Sequence, residues 1–323
     1  MIDLCVLGYG QFGETTQQCL KSLIPQAQEI GAIVHVLDNG SPDDSALLQK
    51  NFCISFPEVQ SSYSDINLGY AGGMNQMALK GSGQWLVLVG SDTIFTSESL
   101  KRLDQALQKV PQEVGIVGPV TNSAGTAQSL TSLGVDIDQV LANAPTFFGH
   151  STSLVLPLYR ADFFCVAIRR TLWNTLQGLD PIYGLGYYED FDFSMRAKKI
   201  GFQCAMVEDA LVFHQGSASF KKSDEQRKLL KKNKKIFLQR FPEAEMRHIR
   251  LDNYKTIQYL LDLNTDSFDI HQRQAIIKHL QLRIDSLSEH QPKGWIKRTL
   301  WKQRVQSLRD QYQSWLEANS SLK

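Results

Sequence analysis

Short apolar runs at 2–7, 33–37, 85–89 and 114–117 set the rhythm of the first 120 residues. The first three close on turn-forming groups: Gly8, then Asp38-Asn39-Gly40-Ser41, then Gly90-Ser91-Asp92. Each leads into helical spacing: about 11–23, a stretch from about 43 with Ser41 or Asp43 as its cap, and 97–109. Strands alternating with helices of about 10 to 15 residues predict an α/β sheet with parallel strands. In such sheets ligands bind at the carboxyl ends of the strands, where these turns lie.

The pattern weakens over 121–159, where Asn, Ser, Gly and Thr dominate 121–132; loops and short hairpins over the sheet edge are expected. A buried strand at 161–168, a short helix at 169–176 and one or two strands over 203–213 complete the sheet part. Beyond 215 the segments 222–240, 243–262, 270–289 and 293–318 are charged, helical in period and without strands. A boundary near 220 is therefore expected, with 1–220 the sheet domain and 221–323 a basic helical region. A net charge of +1 over 323 residues excludes an obvious nucleic-acid binder. Cys5, Cys19, Cys53, Cys165 and Cys204 form no Cys-x-x-Cys pair, so buried free thiols in a reducing compartment are expected. The N-terminus has no basic n-region and no apolar run reaches a membrane span, which predicts a cytoplasmic protein.

Two readings compete for the first loop. GYGQFG at 8–13 fits the dinucleotide fingerprint G-x-G-x-x-G, with Asp38 ending the next strand, and so raises an NAD-dependent oxidoreductase. The ordinary structural reading is a glycine-rich strand-to-helix turn. Asp38 suits a ribose or a nucleoside equally. Further along, NLGYAGGMN at 67–75 opens a helix whose N-terminus would favour anionic groups. Asp92 and His214 each fall at a strand's end, where a carboxylate and an imidazole can hold a divalent cation. The run YYEDFDFSMRAKKIGF at 187–202 puts Glu189, Asp190 and Asp192 in the first turn of a helix. Asp192 and Arg196 stand at i and i+4 and predict a supporting ion pair, leaving Glu189 and Asp190 without a local partner. Asp92, Asp190 and His214 on one side of a sheet disfavour a plain dehydrogenase.

DNGSPDDS (38–45), NLGYAGGMN (67–75), GSD (90–92), GPVTN (118–122), GLD (178–180), EDFDFSMR (189–196) and HQGS (214–217) follow one another in a familiar order. In this, residues 1–240 resemble the inverting family 2 glycosyltransferases of the A-type (GT-A) fold, a Rossmann-like nucleotide-diphospho-sugar transferase sheet. The variant looks like the rhamnosyltransferase-like bacterial group that builds surface polysaccharides. The resemblance implies that Asp38 contacts the nucleoside. Asn67, Gly69, Gly72, Gly73 and Asn75 would shape the nucleotide-sugar pocket together with Ser91 and Asp92. Asp92 matches the last acid of a DxD-type element whose first acid is Gly90 here, and His214 completes the metal and diphosphate site. Asp190 matches the catalytic base, with Glu189 beside it. The donor would be a UDP-, TDP- or GDP-sugar, the cation Mn2+ or Mg2+, and the acceptor a glycan or lipid-linked glycan. A nucleotide-sugar-binding protein without turnover is the non-catalytic alternative, because the DxD element is incomplete.

The C-terminal region lies partly outside the resemblance. Residues 221–240 hold nine Lys/Arg against two acids, read either as a solvated helix face or as a cover for the diphosphate. The segment 293–318 is amphipathic. It predicts packing on the catalytic domain or a partner helix; the sharper alternative is peripheral contact with a membrane that carries the acceptor. Homo-oligomerisation is left open.

Overall fold

The computed structural model describes residues 1–216 and 224–318. Among them nine strands form one sheet. β1 (Ile2–Gly8), β2 (Ile33–Asn39), β3 (Gln60–Ser64) and β4 (Trp85–Gly90) run parallel in the order β3-β2-β1-β4. Beyond β4 come β8 (Cys165–Arg169), β6 (Val114–Val120), β9 (Gln203–His214) and β5 (Thr93–Phe95), and β7 (Val155–Leu158) also pairs with β9.

The apolar runs are continuous because both faces of the sheet are covered. Leu4 and Val6 of β1 pack with α1 (Thr16–Ile30) and α4 (Ser99–Leu107), whereas Cys5 points to the side of α3 (Gly69–Ala78). All five cysteines are buried free thiols, as expected.

The sheet is mixed rather than parallel throughout. After β6 the chain makes a long excursion and re-enters at the carboxyl end of β4, so Val89 faces Cys165 and Trp85 faces Arg169 in an antiparallel register. That excursion is not only loops and hairpins. It contains α5 (Ile137–Phe148), capped by Asp136 accepting from the Gln139 amide at 2.9 Å. Val140, Ala144 and Phe148 make its buried stripe, and Pro145 inside it masks the helical reading.

The C-terminal helices α8 (Asp224–Arg240), α9 (Ile249–Leu261), α10 (Ile270–Glu289) and α11 (Trp295–Ala318) are not a separate apolar layer. Ile257, Leu260, Ile276, Leu280, Trp301 and Leu308 belong to the same buried cluster as Leu88, Ile116 and Met206 of the sheet. An ionic tie crosses this junction. Arg283 of α10 grips both oxygens of Glu208 of β9 and donates to the Ala127 carbonyl at 2.8 Å; His279 adds a contact to Glu208 at 3.2 Å. Burial alone would raise Glu208, but Arg283 and His279 pull its pKa down to about 2. Among the described residues no helix is long and apolar enough to cross a membrane.

Candidate active site

A cleft of about 880 Å3 opens over the carboxyl ends of β1, β2 and β4. Its lining holds the carboxylates of Asp43, Asp92, Asp162, Glu189, Asp190 and Glu225 and, among the described residues, no Lys or Arg. Such a cleft repels an anion unless a cation accompanies it.

The glycine-rich first loop is closed to a dinucleotide. The amides of Gly10, Gln11 and Phe12 donate to Ser41 Oγ at 2.7 Å, Asp43 Oδ2 at 2.9 Å and Ser45 Oγ at 3.1 Å. In a dinucleotide site amides of this kind face the pyrophosphate. Here the DNGSPDDS segment has taken them, and a pyrophosphate would also meet the Asp43 carboxylate. Helix α1 starts only at Thr16.

The second glycine-rich turn is likewise saturated, contrary to the expected anion site. Leu68 N donates to Asn39 Oδ1 at 3.0 Å, Gly69 N to Asn67 Oδ1 at 2.8 Å and Tyr70 N to the Leu185 carbonyl at 3.2 Å. Its glycines serve close packing. A Cβ at Gly73 would stand 2.4 Å from Leu7 Cδ1 of β1, and one at Gly69, whose φ is +71°, 2.3 Å from the Gly184 carbonyl oxygen. A Cβ at Gly72 would press on Leu68 at 3.0 Å. Asn75 clamps Leu179 through both its carbonyl and its amide, at 2.8 and 2.9 Å. Of this segment Asn67 and Tyr70 line the cleft.

Asp38 also departs from the expected contact. It is 2% exposed, off the cleft lining, and accepts from Ser41 N at 3.1 Å and Ser41 Oγ at 2.5 Å. It shapes the loop that presents Asn39 and Asp43 instead.

Ser91, Asp92 and His214 do come together on the cleft wall. The three-residue strand β5 pairs antiparallel with the end of β9, placing Thr93 opposite His214. His214 Nε2 lies 3.5 Å from Asp92 Oδ2, the ring stacks on Phe164, and Nδ1 meets the Ser123 carbonyl at 2.8 Å. With a proton on Nδ1 directed at that carbonyl, Nε2 faces Asp92: it donates to the carboxylate when protonated and, when neutral, could share a cation with it. Burial disfavours the imidazolium, yet the bond and charge of Asp92 outweigh it and hold the His214 pKa above its ordinary value. No third Asp, Glu, His or Cys joins the pair to form a metal-sized cluster among the described residues. Two protein donors suit a hard cation that takes its remaining ligands from phosphate oxygens and water.

The acidic pair is positioned by an unusual backbone. Helix α7 (Glu189–Lys199) follows Gly184, Gly186, Tyr187 and Tyr188, all at positive φ, with the two tyrosines at 71° and 77°. Left-handed conformations at such residues cost about 1–3 kcal/mol each and persist only under external restraint. The restraint is Asn233 of α8, fully buried, whose amide donates to the carbonyls of Tyr183, Gly186 and Tyr187 at 2.7, 2.8 and 3.2 Å. Phe237 of the same helix stacks on Phe191 at 4.4 Å between centroids. The basic helix thus has an inner face that holds the turn before Glu189. Asn233→Ala is expected to lower kcat by about 10- to 100-fold through misplacement of Asp190, with donor KM little changed; steady-state kinetics checks it.

Within the pair the environments differ. Glu189 is 8% exposed, and its Oε2 has no hydrogen-bond partner among the described residues. Burial, then the adjacent Asp190, pushes its pKa up to about 8. Burial also raises Asp190, but the Arg160 guanidinium 3.6 Å away opposes it, and its pKa rises only to about 6. Asp190, facing Arg160, is therefore the more acidic of the two and Glu189 the one that holds a proton more readily. The expected Asp192–Arg196 pair is present at 2.6 Å, and Asp192 is also bonded by Tyr183 at 2.9 Å and paired with Arg240 at 3.1 Å. Sequence reasoning missed Arg160 and Asp162: Asp162 lies within 161–168, read as a buried strand, and Arg160 directly before it, whereas β8 starts only at Cys165.

Fold and cleft together define a GT-A sheet with a helical C-terminal region. A mannosyltransferase from Pyrobaculum calidifontis, solved with GDP-mannose and Mn2+, superposes with a TM-score of 0.53 at 12% identity, over 99% of this chain and 84% of that one. Residues 1–349 of TarS from S. aureus superpose at 0.52 and 14% identity, over 100% and 92%. The same TarS portion with UDP-GlcNAc gives 0.52 at 15% identity, over 99% and 91%. These likenesses show the fold. No curated protein matches the chain in sequence. The chain belongs to glycosyl transferase family 2, whose sequence model matches residues 5–174.

Proposed function

We propose that the protein transfers a sugar from a nucleoside-diphosphate donor to an acceptor hydroxyl with inversion, in glycan or surface-polysaccharide synthesis of the rhamnosyltransferase-like kind. The observation that carries this reading is the placement of Glu189 and Asp190, at the head of α7, in the same cleft as Asp92 and His214. The catalytic unit is 1–220, with the helices of 221–323 supporting the turn before Glu189.

The Asp190 carboxylate takes the proton of the acceptor hydroxyl as that oxygen attacks the sugar's anomeric carbon. Glu189, holding its proton, donates a hydrogen bond to the acceptor and adds no second negative charge. Tyr187 borders the acceptor site. Asp92 and His214 would hold Mn2+ or Mg2+, which when bound neutralises the charge of the departing diphosphate. One base and one leaving group suffice for a single displacement; a glycosidase needs two carboxyl groups on opposite sides of the bond, whereas Glu189 and Asp190 are consecutive. The DxD element lacks its first acid, and the proposed cation site rests on Asp92 and His214 alone.

The test is product analysis with UDP-, TDP- and GDP-sugars and glycan or lipid-linked glycan acceptors. The expected product is a glycoside with the anomeric configuration opposite to the donor's. A retained configuration would overturn the single-displacement reading.

A further inference from the structure

Helix α11 has two apolar faces, and the fold uses one of them. Trp301, Val305, Leu308 and Tyr312 are 9%, 5%, 0% and 5% exposed and form a stripe toward α9 and α10. Trp295, Ile296 and Leu300 are 80%, 66% and 61% exposed. At about 100° per residue, these three fall on the side of the helix opposite the buried stripe. Between the two faces lie Lys297 and Arg304 along one border and Arg298 and Lys302 along the other. Residues 291–309 hold six Lys/Arg and no Asp or Glu. Every residue of 293–300 is exposed, so the start of α11 stands clear of the body.

We propose that this face docks on an anionic lipid surface. An indole with two aliphatic side chains, flanked on both sides by cations, is the composition of an interfacial helix. The apolar tips enter the headgroup boundary, while the Lys and Arg stems reach outward to lipid phosphates. A second copy of the chain is the poorer occupant, because a self-complementary contact here would set one cationic border against another. The packing stripe ending at Tyr312 holds the helix to the rest of the fold. The docking itself is independent of the transferase reading.

The test is co-sedimentation of the full chain with phosphatidylcholine vesicles and with vesicles also containing phosphatidylglycerol. Binding to the anionic vesicles is expected to be at least about tenfold stronger and to fall in about 0.5 M salt, where the screening length shrinks to roughly 4 Å. Trp295→Ser/Ile296→Ser/Leu300→Ser should lower that binding by about tenfold or more with Tm unchanged, since all three side chains are exposed. Lys297→Gln/Arg298→Gln/Lys302→Gln should remove the preference for anionic lipid. Wild-type protein that ignores the anionic vesicles, or a triple serine variant that binds them equally well, would overturn the proposal. Failure to bind vesicles together with a dimer that the serine variant dissociates would assign the face to a second copy.

Discussion

Asp190→Asn is expected to reduce transfer by about 10²- to 10⁴-fold, the range for loss of a general base, with nucleotide affinity as in the wild type. Asparagine keeps the shape of the side chain and can still accept from the Phe191 amide, which Asp190 does at 2.7 Å. What it loses is the ability to take a proton. The same account fixes the pH profile. Activity requires Asp190 ionised, so the rate should rise with pH through about 6. It should decline above about 8, where Glu189 surrenders its proton and places a second charge beside the first. A variant that keeps most of its turnover, or a profile that is flat between pH 5 and 9, would remove Asp190 from the role of base.

Arg283→Ala should destabilise the whole protein by about 3–5 kcal/mol, the cost of leaving a buried charge uncompensated. Arg283 and Glu208 are both fully buried, and Arg283 reaches from α10 to β9 and to Asn253 of α9 at 3.1 Å. Glu208→Gln added to Arg283→Met should recover part of the loss, since no bare carboxylate then remains. Urea or thermal unfolding reads both. The sign with pH follows from the depressed Glu208 pKa: its stabilising share is present above the ordinary glutamate range and disappears as pH falls toward about 2. If the helices after 220 were a loosely attached appendage, Arg283→Ala would leave the unfolding of the sheet unchanged.

The strands β1, β2, β4 and β6 are legible because burial on both faces demands unbroken apolar runs. β3, QSSYS, is half-exposed and therefore has no such run. β5 is three residues long, too short to show a period, yet its pairing with β9 is what joins Asp92 to His214. The sequence singles out these two residues separately; the register unites them. Glu189 and Asp190 are visible as an acidic pair, but the difference between their environments depends on Arg160, which approaches from outside the motif. Asn233 is the clearest omission. In KKNKKIF it looks like part of a solvated cationic face, and the available signal was its spacing of four residues from Phe237, which places it on the buried stripe. The glycines of 67–75 suggest ligand contact in the sequence because backbone approach to a phosphate and backbone approach to a neighbouring strand leave the same trace there.

The most direct measurement is binding of UDP, TDP, GDP and NAD(H) to the full chain by thermal shift, each with and without Mn2+, for wild type and for His214→Ala. The account predicts that one nucleoside diphosphate raises Tm with Mn2+ present and far less without it. His214→Ala should lose the Mn2+-dependent part, and NAD(H) should have no effect because the amides of residues 10–12 are already bonded. Stabilisation by NAD(H) alone, or equal nucleotide binding with and without the cation in both proteins, would contradict it.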